Sequence, residues 1–152
     1  MPNPRKPRNN CPICNKETAR FGYKYCSNSC QMEYQYQTYI EAWKSGKVSG
    51  LSSIGLVSRY VKKYLREKFG DKCCLCGWNK INNKIGYSPL VADHIDGNWR
   101  NNIASNLRLL CPNCDSLTLT YAGLNRGNGR KNRVVSKRAR EGQALVMKNK
   151  PL

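Results

Sequence analysis

The clearest periodic pattern of apolar positions lies in the middle of the chain and predicts an amphipathic helix over residues 55–69. Apolar and aromatic side chains recur there at helical spacing, and basic side chains fill most of the other positions. Gly70 favours an end of the helix at this point, because glycine readily adopts the left-handed conformation that often follows a helix. The apolar positions are Leu56, Val57, Tyr60, Val61, Tyr64 and Leu65, and the basic ones are Arg59, Lys62, Lys63, Arg66 and Lys68.

A second helix is predicted earlier in the chain, over about residues 28–44, and it is polar and aromatic. Ser27 or Asn28 can cap its first turn. The residues just before it, 24–26, read as the end of a strand. Residues 45–53 (SGKVSGLSS) have the composition of a flexible linker between the two helices.

The second half of the chain predicts the order strand, loop, strand, helix. Residues 88–94 (SPLVADH) and 106–110 (NLRLL) read as strands. Pro112 suits the first turn of a helix, which we expect to run over about 112–121.

Composition shows that apolar burial alone does not hold these elements together. Leu, Ile, Val and Phe make up only 29 of the 152 residues, or about 19%, a share typical of chains without a large core when the net charge is high. The nine cysteines are the candidates for the missing stabilisation. No apolar run reaches the length of a membrane span, and no hydrophobic stretch follows the charged N-terminus, so we expect no secretory signal and a cytoplasmic protein.

Eight of the cysteines form two sets of two close pairs, a spacing typical of tetrahedral zinc sites rather than of disulfides in a reducing compartment. We predict two structural Zn²⁺ ions. Cys74 is left over; it is an alternative ligand to Cys73, but at a poorer spacing, and we predict a small buried residue instead. The first set is Cys11, Cys14, Cys26 and Cys30, and the second is Cys73, Cys76, Cys111 and Cys114.

The net charge of +18, from 27 basic and 9 acidic residues, favours a polyanionic partner, and nucleic acid is the first choice. No long basic amphipathic helix carries a bulky apolar face, so a membrane surface is disfavoured. Basic residues concentrate at both ends of the chain and in the helix over 55–69, whose basic side is as consistent with solvent as with DNA. The predicted contacts in the basic tail, residues 126–150, are Arg126, Arg130, Lys131 and Arg133.

The segment most indicative of chemistry is Val91–Asn98 (VADHIDGN), which places Asp93 and His94 together at a strand end. Side chains alternate along a strand, but we expect the chain to bend here so that both border one site. A carboxylate can hold Mg²⁺, and a neutral imidazole can accept a proton from water. Asp115, in the first turn of the last helix, is a second carboxylate that can meet Asp93, although the helix dipole alone also explains an acid at that position.

Residues 71–125 resemble the HNH nuclease family. Asp93-His94 matches the first histidine motif with its preceding acid, and Asn106, in the run Asn-Leu-x-x-Leu-Cys, matches the middle asparagine. Asp115 stands directly after Cys111-x2-Cys114, where the family usually has its last histidine. This departure favours Mg²⁺ or Mn²⁺ over softer metals.

The resemblance implies a mechanism and a role for each residue. It makes His94 the general base on the attacking water and Asp93 and Asp115 the ligands of one divalent ion. Asn106 orients the loop through backbone contacts, and the products carry 5′-phosphate and 3′-hydroxyl ends. For Arg108, contact with phosphate and simple exposure remain equally open, and Asn125 is either a further contact or a turn residue.

The cysteine spacing and composition predict a small zinc-stabilised α+β protein. The resemblance implies a ββα-metal, treble-clef-like nuclease domain, and the first cysteine set resembles a zinc-knuckle or treble-clef module. The predicted divisions are 1–45 (zinc module), 46–70 (linker and basic helix), 71–125 (nuclease domain) and 126–152 (basic tail). The predicted function is a metal-dependent endonuclease for double-stranded DNA of the phage or mobile-element type, acting in the host cytoplasm if phage encoded. A non-catalytic zinc-dependent DNA-binding protein is the alternative. The sequence does not decide whether the protein forms a homodimer, whether a protein partner directs it, or whether it cuts one DNA strand or both.

Overall fold

The computed structural model describes residues 6–125 as a small α+β fold. Its elements are α1 (Asn28–Lys44), α2 (Arg59–Phe69), β1 (Val91–His94), β2 (Leu107–Leu110) and α3 (Pro112–Ser116), followed by a short 3-10 turn over Ala122–Leu124. Within this part of the chain, no helix is both long enough and apolar enough to cross a membrane. The predicted contacts of the basic tail, and the first five residues of the basic arm, lie outside the described residues.

Capping residues set the first residues of the two long helices and the last residue of α2. The hydroxyl of Ser27, one of the two predicted capping residues, accepts a hydrogen bond from the Cys30 backbone and caps α1. Ser58 caps α2 in the same way, so this helix starts four residues later than its apolar pattern predicts. Gly70 ends α2 in the left-handed conformation, at φ 63°, as predicted.

One apolar core joins the helices to the strands. α1 contributes Tyr36, Ile40 and Trp43, which pack against buried residues of α2 and β2. The core therefore crosses the predicted division at residue 45, since side chains from both sides of it share one cluster. The remaining members of this cluster are Val57, Val61, Leu65, Leu107 and Leu109.

Residues 45–53 are not a flexible linker, as their composition predicts, but a folded connection. The backbone N–H of Ser58 donates to the Gly50 carbonyl at 2.8 Å, and that of Ser52 to the Leu56 carbonyl at 2.7 Å. Gly50 is buried against the ring of Trp43, with φ 74°, and a Cβ there would lie 2.6 Å from the indole nitrogen. A glycine that reads as flexible in the sequence is required here for close packing.

The strands and the last helix are shorter than predicted. β1 and β2 pair antiparallel, with Asp93 opposite Arg108 and His94 opposite Leu107. No strand forms over residues 24–26, and the N-terminal region instead has an isolated bridge between Asn10 and Glu17. α3 ends at Ser116 rather than near 121.

The early end of α3 has a local cause. The hydroxyls of Ser116 and Thr118 each donate to a backbone carbonyl three residues earlier, those of Asn113 and Asp115. Such bonds compete with continuation of the helix.

Candidate metal centres and catalytic site

Each predicted set of four cysteines converges in space. In both sets one sulfur from each residue lies within 4.8 Å of all the others. In the first set, the Cys14 sulfur lies 3.3 Å from that of Cys26, and the Cys26 sulfur lies 3.5 Å from that of Cys30. In the second set, Cys76 and Cys111 are 3.7 Å apart. Four thiolates at the usual zinc–sulfur distance stand about 3.8 Å apart, so both sets fit a tetrahedral zinc ion.

The two sets share one electrostatic arrangement around a buried first cysteine. Burial opposes ionisation of Cys73, but backbone N–H groups of Cys76, Cys111 and Leu75 outweigh it and lower the pKa of Cys73 to about 6. In the first set, burial of Cys11 is likewise outweighed by backbone N–H groups, and its pKa is also lowered to about 6. A thiolate already stabilised by amides is suited to bind a metal.

Cys74 differs from the prediction. It is exposed rather than buried, and it lies outside the second cluster, where Cys73 is the member. Its backbone N–H donates to the Leu109 carbonyl at 2.9 Å.

The second cluster also determines where α3 begins. Cys111 is the N-cap residue of α3, and its sulfur accepts a hydrogen bond from the Cys114 backbone at 3.4 Å. Asp115 follows at once, in the first turn. The candidate zinc ligands Cys111 and Cys114 and the candidate catalytic acid Asp115 are therefore held by the same turn.

The structure brings Asp93, Arg108 and Asp115 together on one face of the hairpin. Asp93 accepts a hydrogen bond from Arg108 Nε at 2.7 Å, and both side chains are largely buried. Burial, together with the negative charge of Asp93, raises the pKa of Asp115, while Arg108 acts in the opposite direction. A buried carboxylate whose ionisation is opposed by a neighbouring carboxylate is suited to bind a divalent cation, which relieves both costs.

His94 occupies a different position from the one the sequence suggests. The expected bend comes one residue later, because β1 stays regular through His94 and the turn begins at Ile95. Asp93 and His94 therefore leave opposite faces of β1. Among the described residues, no hydrogen bond joins His94 to either carboxylate; its Nε2 lies 2.8 Å from Asn102 Oδ1.

His94 borders an open cleft of about 360 Å³ between the hairpin and α2. Lys62 of α2 and Trp99 of the loop after β1 line the same cleft. The basic side of α2 thus reaches the neighbourhood of the only histidine of the chain.

Asn106 holds the loop that follows His94. Its amide donates to the Asn101 carbonyl at 2.7 Å and to Asp96 Oδ1 at 2.8 Å, and its oxygen accepts from the Asp96 backbone at 3.1 Å. Side-chain bonds from Asn101 and Asn106 lower the pKa of Asp96. The loop is therefore closed by a buried amide and an ionised carboxylate.

Asn125 supports the same loop from the end of the described chain. Its amide donates to the Gly97 carbonyl at 2.7 Å. Gly97 has φ 70°, and a Cβ there would lie 2.5 Å from the Asn125 oxygen, so only glycine fits the turn.

Sequence reasoning missed three contacts: that of Arg108 with Asp93, that of Asn102 with His94, and the hydrogen bond from the Trp43 indole to the Asn102 carbonyl. The pairing of Arg108 with Asp93 follows from strand register, which the separate strand patterns do not reveal. Asn102 and Trp43 carry no motif of their own. The one available signal for Asn102 is the density of asparagines over residues 98–106.

The chain is similar in sequence to a known phage protein. The chain is 37% identical over 97 residues to the H-N-H endonuclease F-TflIV of Escherichia phage T5. The match covers 64% of this chain but only 40% of that protein. Neither a family model nor a solved structure matches the chain. Over this stretch the chain is similar to an HNH endonuclease, which confirms the resemblance that its motifs carry, and its two four-cysteine clusters fit zinc sites.

Proposed function

We propose that the protein is a metal-dependent endonuclease that hydrolyses phosphodiester bonds of double-stranded DNA. The observation that carries the proposal is the pair of carboxylates, Asp93 and Asp115, held together at the end of the hairpin next to the strand residue His94. Homology to a phage HNH endonuclease supports the same chemistry. The finer fold assignment, a ββα-metal unit of treble-clef type, belongs to this proposal and is consistent with the order β1, β2, α3.

Each catalytic residue has a distinct part in the proposed reaction. In the proposed arrangement the phosphate lies across the end of β1, between the face that carries His94 and the face that carries the carboxylates. His94 accepts the proton of the attacking water, whose oxygen forms the new bond to phosphorus while the bond to the 3′ oxygen breaks and that oxygen takes a proton from solvent. Asp93 and Asp115 would hold one Mg²⁺ or Mn²⁺ ion, which supplies positive charge to the phosphate and the leaving oxygen. The products are 5′-phosphate and 3′-hydroxyl ends, and Asn106 keeps the loop after His94 in place.

Arg108 has a second proposed role besides the predicted contact with phosphate. As a neighbour of both carboxylates, it balances their charge when no cation is bound. A guanidinium released from Asp93 by a cation would be free to contact phosphate, in keeping with the predicted nucleic-acid contact.

Replacing Asp115 with Asn tests the metal-dependent reaction. With Mg²⁺ or Mn²⁺, we expect the wild-type protein to convert supercoiled plasmid to open-circular or linear DNA, and the Asp115→Asn variant to be slower by at least about 100-fold. The ratio of open-circular to linear product reports whether one strand or both are cut.

The same variant should not lose stability without added Mg²⁺ or Mn²⁺. The pKa of Asp115 is raised in the folded protein, so its ionised form opposes folding above the ordinary carboxyl pKa, and removing the charge relieves that cost. We therefore expect a melting temperature equal to or above the wild-type value near neutral pH.

The matched control is Asp71→Asn, since Asp71 is an ion-paired partner of Arg66 away from the site. This variant should cut DNA normally. Cleavage by Asp115→Asn at the wild-type rate would contradict the proposal. Normal DNA binding by a wild-type protein that never cuts, with either metal and with genomic DNA as well as plasmid, would favour the non-catalytic DNA-binding protein.

Lys62 is the cation of α2 best placed to contact the DNA backbone. It is exposed and lines the His94 cleft, and it belongs to no ion pair within residues 6–125. Its neighbour Lys63 pairs with Glu33 and Glu67, and Arg66 pairs with Asp71.

We expect Lys62→Ala to weaken DNA binding and to reduce the slope of log affinity against log salt concentration by about one. The measurement is a salt titration by fluorescence anisotropy without added Mg²⁺ or Mn²⁺. Lys63→Ala, one residue along the same helix, is the control and should leave the slope unchanged. A reduced slope for Lys63→Ala but not for Lys62→Ala would place the DNA on another side of α2.

A further inference from the structure

We infer that Asn102 is a positioning residue that sets the tautomer of His94, and that the N-terminal part of the chain holds Asn102 in place through Trp43. The inference rests on the proposed function for its consequence in catalysis. The tautomer itself is a property of the free protein and can be measured without any DNA or divalent cation.

The orientation of the Asn102 amide follows from its own hydrogen bonds. Asn102 is buried, and its Nδ2 donates to the carbonyls of Trp99 and Arg100, each at 3.2 Å. A carbonyl only accepts, so the nitrogen side of the amide must face these two groups. The oxygen Oδ1 then faces His94.

This orientation determines which nitrogen of His94 carries the proton. Nε2 lies 2.8 Å from Asn102 Oδ1, and an amide oxygen can only accept. Nε2 must therefore be the donor. In the neutral imidazole that leaves Nδ1 with the lone pair, and Nδ1 is the atom that would take the proton of the attacking water.

The main chain of Asn102 is held by a residue of the N-terminal helix α1. The indole Nε1 of Trp43, near the end of α1, donates to the Asn102 carbonyl at 2.7 Å in a buried contact. Gly50 closes the same contact from the side, since a Cβ there would lie 3.3 Å from Asn102 Cβ as well as 2.6 Å from the indole nitrogen. Helix α1, which follows the first cysteine cluster, thus contacts Asn102, the residue that is hydrogen-bonded to His94.

Nitrogen NMR of the full chain with both zinc sites loaded tests the tautomer directly. His94 is the only histidine, so ¹⁵N-histidine labelling gives a single imidazole. At a pH about two units above the ordinary imidazole pKa of about 6.5, we expect Nε2 to be protonated, with a slowly exchanging proton, and Nδ1 to be unprotonated. A neutral His94 protonated on Nδ1, or one with the averaged shifts of a free imidazole, would overturn the inference.

Variants of Asn102 separate this role from general support of the loop. Asn102→Leu removes the acceptor, so the two ring nitrogens should move towards averaged shifts and the Nε2 proton should exchange rapidly. Asn102→Asp keeps an acceptor oxygen and should retain the Nε2 proton even if it destabilises the loop. Asn101→Leu is the matched control: it removes a neighbouring amide that bonds Asp96, and the His94 signals should not change.

The catalytic consequence is measured separately. Asn102→Leu should lower the cleavage rate at saturating protein by about 10- to 100-fold, the range typical for loss of a partner that orients a histidine, with unchanged affinity for DNA. An Nε2 proton retained in Asn102→Leu contradicts the inference whatever the cleavage rate. If the tautomer is as expected but His94→Ala still cuts normally, the proposed function fails while the assignment of the tautomer stands.

Discussion

A His94→Ala variant is expected to lose DNA cleavage by about 10²- to 10⁴-fold, the range contributed by a general base, while its affinity for DNA stays at the wild-type value. His94 is half-buried at the end of β1 and makes one side-chain hydrogen bond among the described residues, to Asn102. Its replacement by alanine therefore breaks one side-chain hydrogen bond of the described structure. The measurement is plasmid cleavage with Mg²⁺ or Mn²⁺ beside a mobility-shift assay of the same preparation.

Added imidazole provides the control for the variant protein. If His94 acts only by accepting a proton, imidazole diffusing into the open cleft should restore part of the lost rate in His94→Ala and leave the wild-type rate unchanged. A circular dichroism spectrum equal to that of the wild type shows that the fold is retained. Cleavage by His94→Ala at the wild-type rate would remove His94 from the mechanism and direct attention to another base.

Replacing Cys111 with Ser is expected to unfold the part of the protein that holds the candidate catalytic site. Cys111 is buried, belongs to the second four-cysteine cluster, packs with Leu110 and caps α3. Structural zinc contributes about 10–16 kcal/mol in small zinc peptides, whereas a whole domain is stable by only about 5–15 kcal/mol. The zinc-binding free energy that is lost when the site cannot form is thus as large as the whole free energy of unfolding of such a domain.

Zinc stoichiometry and thermal unfolding test this expectation. Wild-type protein should hold two zinc ions for each chain, and Cys111→Ser should hold one, with the loss of a cooperative transition. Cys74→Ser is a closely matched control, since Cys74 is exposed and lies outside both clusters; it should keep two ions and the wild-type melting temperature. Two bound ions in Cys111→Ser, or a lost ion in Cys74→Ser, would show that the ligands are assigned wrongly.

Helix α2 follows its apolar pattern at its end but not at its start. The apolar positions identified the element, its buried side and its end at Gly70, because these depend on residues close together in the chain. The start was predicted too early, since Leu56 and Val57 continue the apolar pattern although Ser58 begins the helix. Val57 instead forms an isolated bridge with Leu51.

The sequence was sufficient to predict the two cysteine clusters, the extent of α1 and the segment that carries Asp93 and His94. Zinc knuckles, helix caps and the Asp93-His94 motif are local, so spacing and residue type are enough to recognise them. Only the folded structure shows that Arg108 faces Asp93, that β1 stays regular through His94, and that Trp43 reaches Asn102. The contacts of Arg108 and Trp43 depend on strand register and on the packing of α1 against α2. They join residues up to 59 positions apart and leave no periodic signal in the chain.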